Sequence, residues 1–244
     1  MKSKEFRSYP GRLVLPFMIF ALMMCLRIEG ADYTINVNAG APGGAWNRFY
    51  EECVGTCHPI TVLSSSYGRN IQNALKRGKN ECGFKKIRAH GIFGSDVDIY
   101  SENNGVAAYN WTKFDQIYDS VKALGYTVIV EFGYMPSVLA SGGQTTFWYN
   151  GADGNVTPLK DWNKWRDLCK NVVLHLQQRY GAEEIRKNWS FEVWNEPDLG
   201  YFWSAGQWEY LKLYDYAAEG VRLADPLCKV GGPAVSFVDA GPAA

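Results

Sequence analysis

Short apolar runs alternate with helical patterns along this chain, and this alternation constrains the fold more than any other feature. Two of the runs, Thr127–Phe132 and residues 191–194, have the length and composition of buried strands. Residues 110–125, 161–181 and 207–224 carry apolar side chains at spacings of three and four, which predicts helices. A repeat of strand and helix predicts a parallel sheet with helices packed against it.

Further strands are predicted at residues 85–89 and 229–231, and weaker patterns indicate a strand near 51–54 and a helix over 70–79. A (β/α)8 TIM barrel and an open doubly wound sheet both fit this order. No Gly-x-Gly-x-x-Gly motif follows a strand, so a Rossmann nucleotide site has no support. About five strands can be counted, whereas a complete barrel has eight. As a barrel, residues 31–244 would form a partial (β/α)8 domain, truncated after about the fifth strand; the pattern by itself leaves both architectures open.

Residues 1–30 have the pattern of a secretory signal peptide. Four basic residues precede an apolar run of 14 residues over 13–26, which is short for a membrane-spanning helix, and the small residues Gly30 and Ala31 follow it. We expect a secreted or extracytoplasmic protein. An uncleaved N-terminal membrane anchor is the alternative.

The net charge limits the partners that can be expected, and the cysteines limit the disulfides and metal sites. Residues 1–30 hold five of the 25 Lys and Arg and two of the 25 Asp and Glu, so the remainder has a net charge of about −3. We expect no nucleic-acid partner and no stable membrane partner.

Five cysteines follow Cys25, and one or two disulfides are possible outside the cell, with their connectivity open. The sequence lacks a Cys-x-x-Cys pair and a His cluster, so we expect no metal site and no cofactor.

Polar residues follow three of the predicted strands, where the active sites of (β/α)8 barrels lie. The first group is His90 with Asp96 and Asp98, the second is Glu131 with Tyr134, and the third is Asn195-Glu196-Pro197. Hydrolysis of a glycosidic bond needs two carboxyl groups, of which one protonates the leaving oxygen. An apolar setting favours the protonated form of a carboxyl. Glu196 fits this role best, because four aromatic residues neighbour it in sequence: Trp194, Tyr201, Phe202 and Trp203.

The segment Phe191-Glu-Val-Trp-Asn-Glu-Pro-Asp-Leu, followed by Phe202-Trp203, resembles the acid/base segment of glycoside hydrolase family 39. That family contains β-xylosidases and α-L-iduronidases. Further blocks resemble the family in order along residues 50–236: Glu52-Cys-Val-Gly-Thr, Ile87-Arg-Ala-His-Gly-Ile, Val130-Glu-Phe-Gly-Tyr-Met-Pro, Leu139-Ala-Ser-Gly, Asn155-Val-Thr-Pro, Arg179-Tyr-Gly and Val230-Gly-Gly-Pro-Ala. The Leu-Ala-Ser-Gly and Asn-Val-Thr-Pro blocks look closer to the bacterial β-xylosidases.

The resemblance implies a retaining O-glycosyl hydrolase on a (β/α)8 barrel with a small β-sandwich attached. Glu196 would be the general acid/base, Asn195 would bind the 2-hydroxyl of the sugar, and His90 would contact hydroxyls of the non-reducing sugar. The substrate would be an oligosaccharide or glycoside, with an exo-acting β-xylosidase as the expected activity. An α-L-iduronidase-like enzyme and a non-catalytic carbohydrate-binding remnant are the alternatives. The sequence leaves the oligomeric state open.

The resemblance places the nucleophile, a second Glu, on the seventh strand of the barrel, beyond the strands counted here. We therefore expect residues 31–244 alone to be a catalytic fragment without activity. Glu131 and Glu192 are predicted to belong to a hydrogen-bond network inside the barrel, and Asp96 and Asp98 to cap loops.

Overall fold

The computed structural model describes residues 47–63, 68–149 and 152–237, together with positions 36, 38, 40 and 43–45. The expected signal peptide, residues 1–30, lies outside the described residues. In the part of the chain that is described, no helix is long and apolar enough to cross a membrane. All elements named below belong to the compact unit that begins at Asn47.

Nine strands and five α-helices follow one another along the described chain. The strands are β1 (Cys53–Gly55), β2 (Lys86–Ala89), β3 (Tyr100–Asn103), β4 (Val106–Tyr109), β5 (Thr127–Phe132), β6 (Thr145–Tyr149), β7 (Ala152–Asn155), β8 (Ser190–Val193) and β9 (Val230–Gly231). The helices are α1 (Gly68–Cys82), α2 (Thr112–Ala123), α3 (Trp162–Tyr180), α4 (Ala182–Asn188) and α5 (Gln207–Ala224). Two 3-10 helices, Phe49–Glu51 and Pro59–Leu63, flank β1.

Five strands form one parallel sheet in the order β1-β2-β5-β8-β9. Ile87 lies opposite Val128, and Val130 lies opposite Phe191, so the buried apolar residues of neighbouring strands align. The strand order follows the chain without the reversal that defines a doubly wound sheet. The parallel sheet is therefore confirmed and its order is that of a barrel wall, while the truncation after the fifth strand stays a prediction.

The sequence did not predict the two hairpins, β3–β4 and β6–β7, which lie in the connections that follow β2 and β5. The turn of the first is Asn104-Gly105, with both residues at positive φ (49° and 79°). That is the geometry of a type I′ turn, for which Asn-Gly is the strongest short signal. Strand β4 was missed because it is largely exposed and lacks an apolar alternation.

Helices α2, α3 and α5 agree with the predicted ones to within two residues at each end, and α1 extends the predicted helix over 70–79 by two residues at its start and three at its end. Helix α3 begins after Asp161, whose Oδ1 accepts hydrogen bonds from the backbone of Asn163 and Lys164. It ends at Gly181, where φ is +94°. Its fully buried face consists of Trp165, Leu168, Cys169, Val172, Val173 and Leu176. The short helix α4 follows directly and was not predicted.

The five described cysteines are free thiols: Cys53, Cys57, Cys82, Cys169 and Cys228. The disulfides that the sequence left possible are therefore not formed among them. Cys169 and Cys228 are buried in the core instead, where free cysteine packs as a small apolar side chain.

Candidate active site

Asn195 and Glu196 lie at the carboxyl end of β8, and His90 lies at the carboxyl end of β2, with β5 between these two strands. The backbone around Glu196 is unusual, because Trp194 and Glu196 both adopt positive φ (70° and 47°). Such non-glycine conformations are costly and concentrate at functional sites. The Glu196 N–H donates to the carbonyl of Ala234, after β9, at 2.8 Å. The half-buried Glu196 is thus held between two strand ends.

Asn195 is 6% exposed and is fixed by a residue from another strand. Arg88 of β2 donates from Nη2 to Asn195 Oδ1 at 3.1 Å and from Nε to Glu192 Oε2 at 2.5 Å. Because the amide oxygen of Asn195 is occupied in this way, its Nδ2 is the atom left to meet a ligand. Within the described residues, that Nδ2 has no hydrogen bond.

His90 is largely buried and its ring lies edge-on to Tyr134, with centroids 6.3 Å apart. Burial above all, together with the nearby Arg88 and His58, lowers the pKa of His90 to about 4. The imidazole is therefore neutral at physiological pH, with one nitrogen donor and one nitrogen acceptor. A neutral ring of this kind suits hydroxyl groups, which both donate and accept.

Glu131 and Glu192 belong to a hydrogen-bond network, as predicted. The fully buried Glu131 accepts a hydrogen bond from the Gly91 N–H through Oε2 at 2.6 Å. Burial raises the pKa of Glu131 to about 8, while Arg88 and the Gly91 N–H oppose that rise. Glu192 accepts from Arg88.

The predicted loop caps differ from each other. Asp96 Oδ1 accepts from the Val97 N–H at 2.9 Å, as a cap does, but Oδ2 also lies 2.6 Å from His58 Nε2. Asp98 adopts a positive φ of 57° in the same loop. The loop is therefore tied to the segment after β1, which the sequence did not indicate.

The aromatic residues near Glu196 divide into core and surface. Trp194 and Trp203 are fully buried with ring centroids 5.1 Å apart, and Trp194 Nε1 donates to the Phe202 carbonyl. Tyr201 is 60% exposed. The two tryptophans therefore build the core beneath the loop.

A cavity of about 440 Å³ lies beside the Glu196 loop, between this loop, the start of α5 and the segment after β9. Its walls include Pro197, Trp203, Tyr210 and Pro233. Its volume is within the range of small-molecule sites. In the described part of the chain, no group of three or more His, Cys, Asp or Glu side chains is placed to hold a metal ion.

Two residues of this region, Arg88 and His58, were not identified from the sequence. The sequence could have indicated Arg88, because a charged residue within a strand of a parallel sheet needs a buried partner. It could not have indicated His58, since that residue lies in the loop after β1 without a periodic pattern around it.

Known proteins resemble most of the chain. A family model described as Glycosyl hydrolases family 39 matches residues 33–242. A β-xylosidase of Geobacillus stearothermophilus is 47% identical over 195 residues, covering 78% of this chain and 37% of that protein. The α-L-iduronidase of Homo sapiens is 27% identical over 243 residues, covering 95% and 34%. The crystal structure of a monomeric β-xylosidase from Caulobacter crescentus CB15 has a TM-score of 0.71 at 38% identity, covering 79% of this chain and 38% of that one. The chain thus spans less than two fifths of the length of these proteins.

Proposed function

The chain belongs to glycosyl hydrolase family 39, and on that premise we propose that it acts as a retaining glycoside hydrolase of the β-xylosidase type, with Glu196 as general acid/base. The observation that carries the proposal is the fixed position of Asn195 and Glu196 at the carboxyl end of β8. The higher identity to a β-xylosidase than to an α-L-iduronidase, 47% against 27%, supports the choice of substrate.

In the first step, Glu196 donates its proton to the oxygen of the breaking glycosidic bond while a carboxylate nucleophile bonds to the anomeric carbon. The family resemblance assigns that nucleophile to a strand beyond the five of the described parallel sheet. In the second step, Glu196 takes a proton from the water that hydrolyses the glycosyl–enzyme bond. Asn195 donates from Nδ2 to the 2-hydroxyl of the sugar, and the neutral His90 binds hydroxyls of the non-reducing sugar.

The variant Glu196→Gln in the protein as its gene encodes it tests the acid role. We expect turnover of xylobiose, whose leaving group needs protonation, to fall by roughly 10²–10⁴-fold. The first step with a dinitrophenyl β-xyloside should fall far less, because that leaving group needs little acid assistance. Glu183→Gln, at an exposed position of α4, is the matched control.

Equal losses of the first step on both substrates would contradict the assignment of Glu196. Turnover of an α-L-iduronide in place of a β-xyloside would favour the iduronidase-like alternative. Binding of xylo-oligosaccharides without any turnover would favour a non-catalytic carbohydrate-binding protein.

Residues 1–30 support a second proposal, that the protein leaves the cytoplasm. The basic start, the apolar run and the small residues after it match a cleavable signal peptide. N-terminal sequencing of the exported protein should find a start near Ala31. An intact N-terminus in the membrane fraction would favour an uncleaved anchor.

A further inference from the structure

His58 and Asp96 join the loops that follow β1 and β2. His58 Nε2 lies 2.6 Å from Asp96 Oδ2, and His58 Nδ1 lies 3.2 Å from the carbonyl oxygen of His90. Both side chains of the pair are shielded, at 4% and 15% exposure. The imidazole thus connects the carboxyl group directly to the backbone of His90.

The two contacts orient the ring. A carbonyl oxygen only accepts hydrogen bonds, so the contact with His90 is a hydrogen bond donated by His58 Nδ1. The other ring nitrogen, Nε2, lies within hydrogen-bond distance of Asp96 Oδ2. Asp96 therefore holds the ring orientation that directs Nδ1 at His90, as carboxylates orient histidines elsewhere.

Two glycines leave the space that the imidazole fills. A Cβ at Gly91, where φ is +93°, would lie 2.9 Å from His58 Nδ1. A Cβ at Gly94 would lie 2.9 Å from Asp96 Oδ1 and 3.4 Å from His58 Cε1. The ring packs against the backbone of the loop that carries His90, and a shift of the ring would shift that loop.

The remaining backbone groups of the segment are also bound. The His90 N–H donates to the Cys57 carbonyl at 3.0 Å, and the Gly91 N–H donates to Glu131 at 2.6 Å. His58 supplies the contact to the His90 carbonyl, which completes the set. Three contacts, two from the segment after β1 and one from β5, therefore fix the backbone of His90 and with it the position of its side chain.

We propose that His58 and Asp96 form a positioning pair for His90 and thereby set the affinity of the site for its sugar. The proposal rests on the proposed function for the sugar contact of His90. Neither residue touches the substrate in this scheme; His58 acts through the His90 backbone, and Asp96 acts through His58.

Two variants of His58 separate the contacts of the ring. In His58→Asn the amide nitrogen takes the place of Nδ1 and keeps the donor to His90, but loses Asp96. In His58→Gln the amide reaches the place of Nε2 and keeps Asp96, but loses His90. The control is His175→Asn, which by the same geometry loses a second His–Asp pair, His175 Nε2 to Asp115 Oδ1 at 2.6 Å, between α3 and α2.

The first readout needs no activity. The chain has three histidines, so ring ¹⁵N resonances of protein labelled in the imidazole can be assigned by single substitutions. We expect His58→Gln to shift the His90 ring resonances in the sugar-free protein and to leave those of His175 unchanged. His58→Asn should shift them much less.

The second readout is the dissociation constant for methyl β-xyloside and the kinetics on an aryl β-xyloside. We expect His58→Gln to raise both Kd and KM about tenfold, the scale of one hydrogen bond, with a smaller change in kcat. His58→Asn should remain within about threefold of wild type, a rescue that follows from the retained donor. His175→Asn should leave Kd unchanged even if it lowers the melting temperature.

Unchanged His90 resonances in His58→Gln, or equal losses in the Gln and Asn variants, would overturn the positioning role. If the wild-type protein neither binds methyl β-xyloside nor turns over the aryl xyloside, the proposed function fails. The resonances of His90 still decide the positioning role in that case.

Discussion

Arg88 on β2 reaches past β5 and donates a hydrogen bond of 3.1 Å to Asn195, the residue before Glu196. The same guanidinium binds Glu192 and adds to the lowering of the pKa of His90 that burial causes. One side chain therefore couples the two strand ends that carry the candidate site. The geometry of this site depends on the order of the sheet as much as on the local sequence around Glu196.

Because Arg88 bridges two partners, we predict that a positive charge at this position is not enough to maintain the site. In Arg88→Lys, a single ammonium cannot hold Asn195 and Glu192 together. We expect kcat/KM to fall about tenfold or more and the free energy of unfolding to fall by roughly 1–3 kcal/mol. Urea denaturation and steady-state kinetics measure both. Arg77→Lys, in an exposed pair with Glu81, should change neither by much, since exposed pairs contribute little.

The Nδ2 of Asn195 has no hydrogen bond among the described residues, and this predicts a contact with the substrate that strengthens in the transition state. If it donates to the 2-hydroxyl, Asn195→Ala should lower kcat/KM about 10²-fold or more, which corresponds to about 2.7 kcal/mol. Asn163→Ala, at an exposed position in the first turn of α3, is the matched control. A nearly normal kcat/KM in Asn195→Ala would refute the assignment.

The sequence predicted the elements that local pattern determines. Strand β5 and helix α5 have the predicted bounds, because an uninterrupted β-branched run and a regular apolar periodicity specify them. The placement of Glu196 at a strand end followed from the same patterns. These features depend on neighbours within a few residues.

The contacts that shape the site could not be predicted in this way. Arg88 and Asn195 are 107 residues apart in sequence, and His58 and Asp96 are 38 apart. The sequence around each member of such a pair does not indicate which distant residue it contacts in the fold. Such pairs become visible only when strand order and register bring the loops together.

The buried carboxyl of Glu131 predicts a dependence of stability on pH. Its pKa rises from 4.5 to about 8 on folding because burial disfavours the charged form. Between these values the folded protein keeps a proton that the unfolded chain releases, so stability falls as pH rises through that window. Its Oε1 has no hydrogen bond among the described residues, consistent with a neutral carboxyl.

Glu131→Gln keeps an acceptor for the Gly91 N–H and removes the titration. Relative to wild type, we expect the variant to gain stability from pH 5 to pH 8, on the order of 3 kcal/mol. Urea denaturation at four pH values across this window measures the gain. The free energy of unfolding of Glu183→Gln should vary with pH in the same way as that of wild type. If Glu131→Gln also followed the wild-type pH dependence, Glu131 would be ionised in the folded protein.

Gly154 of β7 predicts a link between the second hairpin and the site. A Cβ at this position would lie 2.4 Å from the ring of Tyr134, which is buried and packs against Trp194 with centroids 5.6 Å apart. In Gly154→Ala the Tyr134 ring must move from its place against Trp194, and overpacking of this kind costs roughly 1–3 kcal/mol. Because Trp194 precedes Asn195, we also expect kcat/KM to fall. The control is Gly143→Ala, where the added Cβ has no described atom within 4 Å. Thermal melts and kinetics of the two variants test the link, and equal behaviour of the two would disprove it.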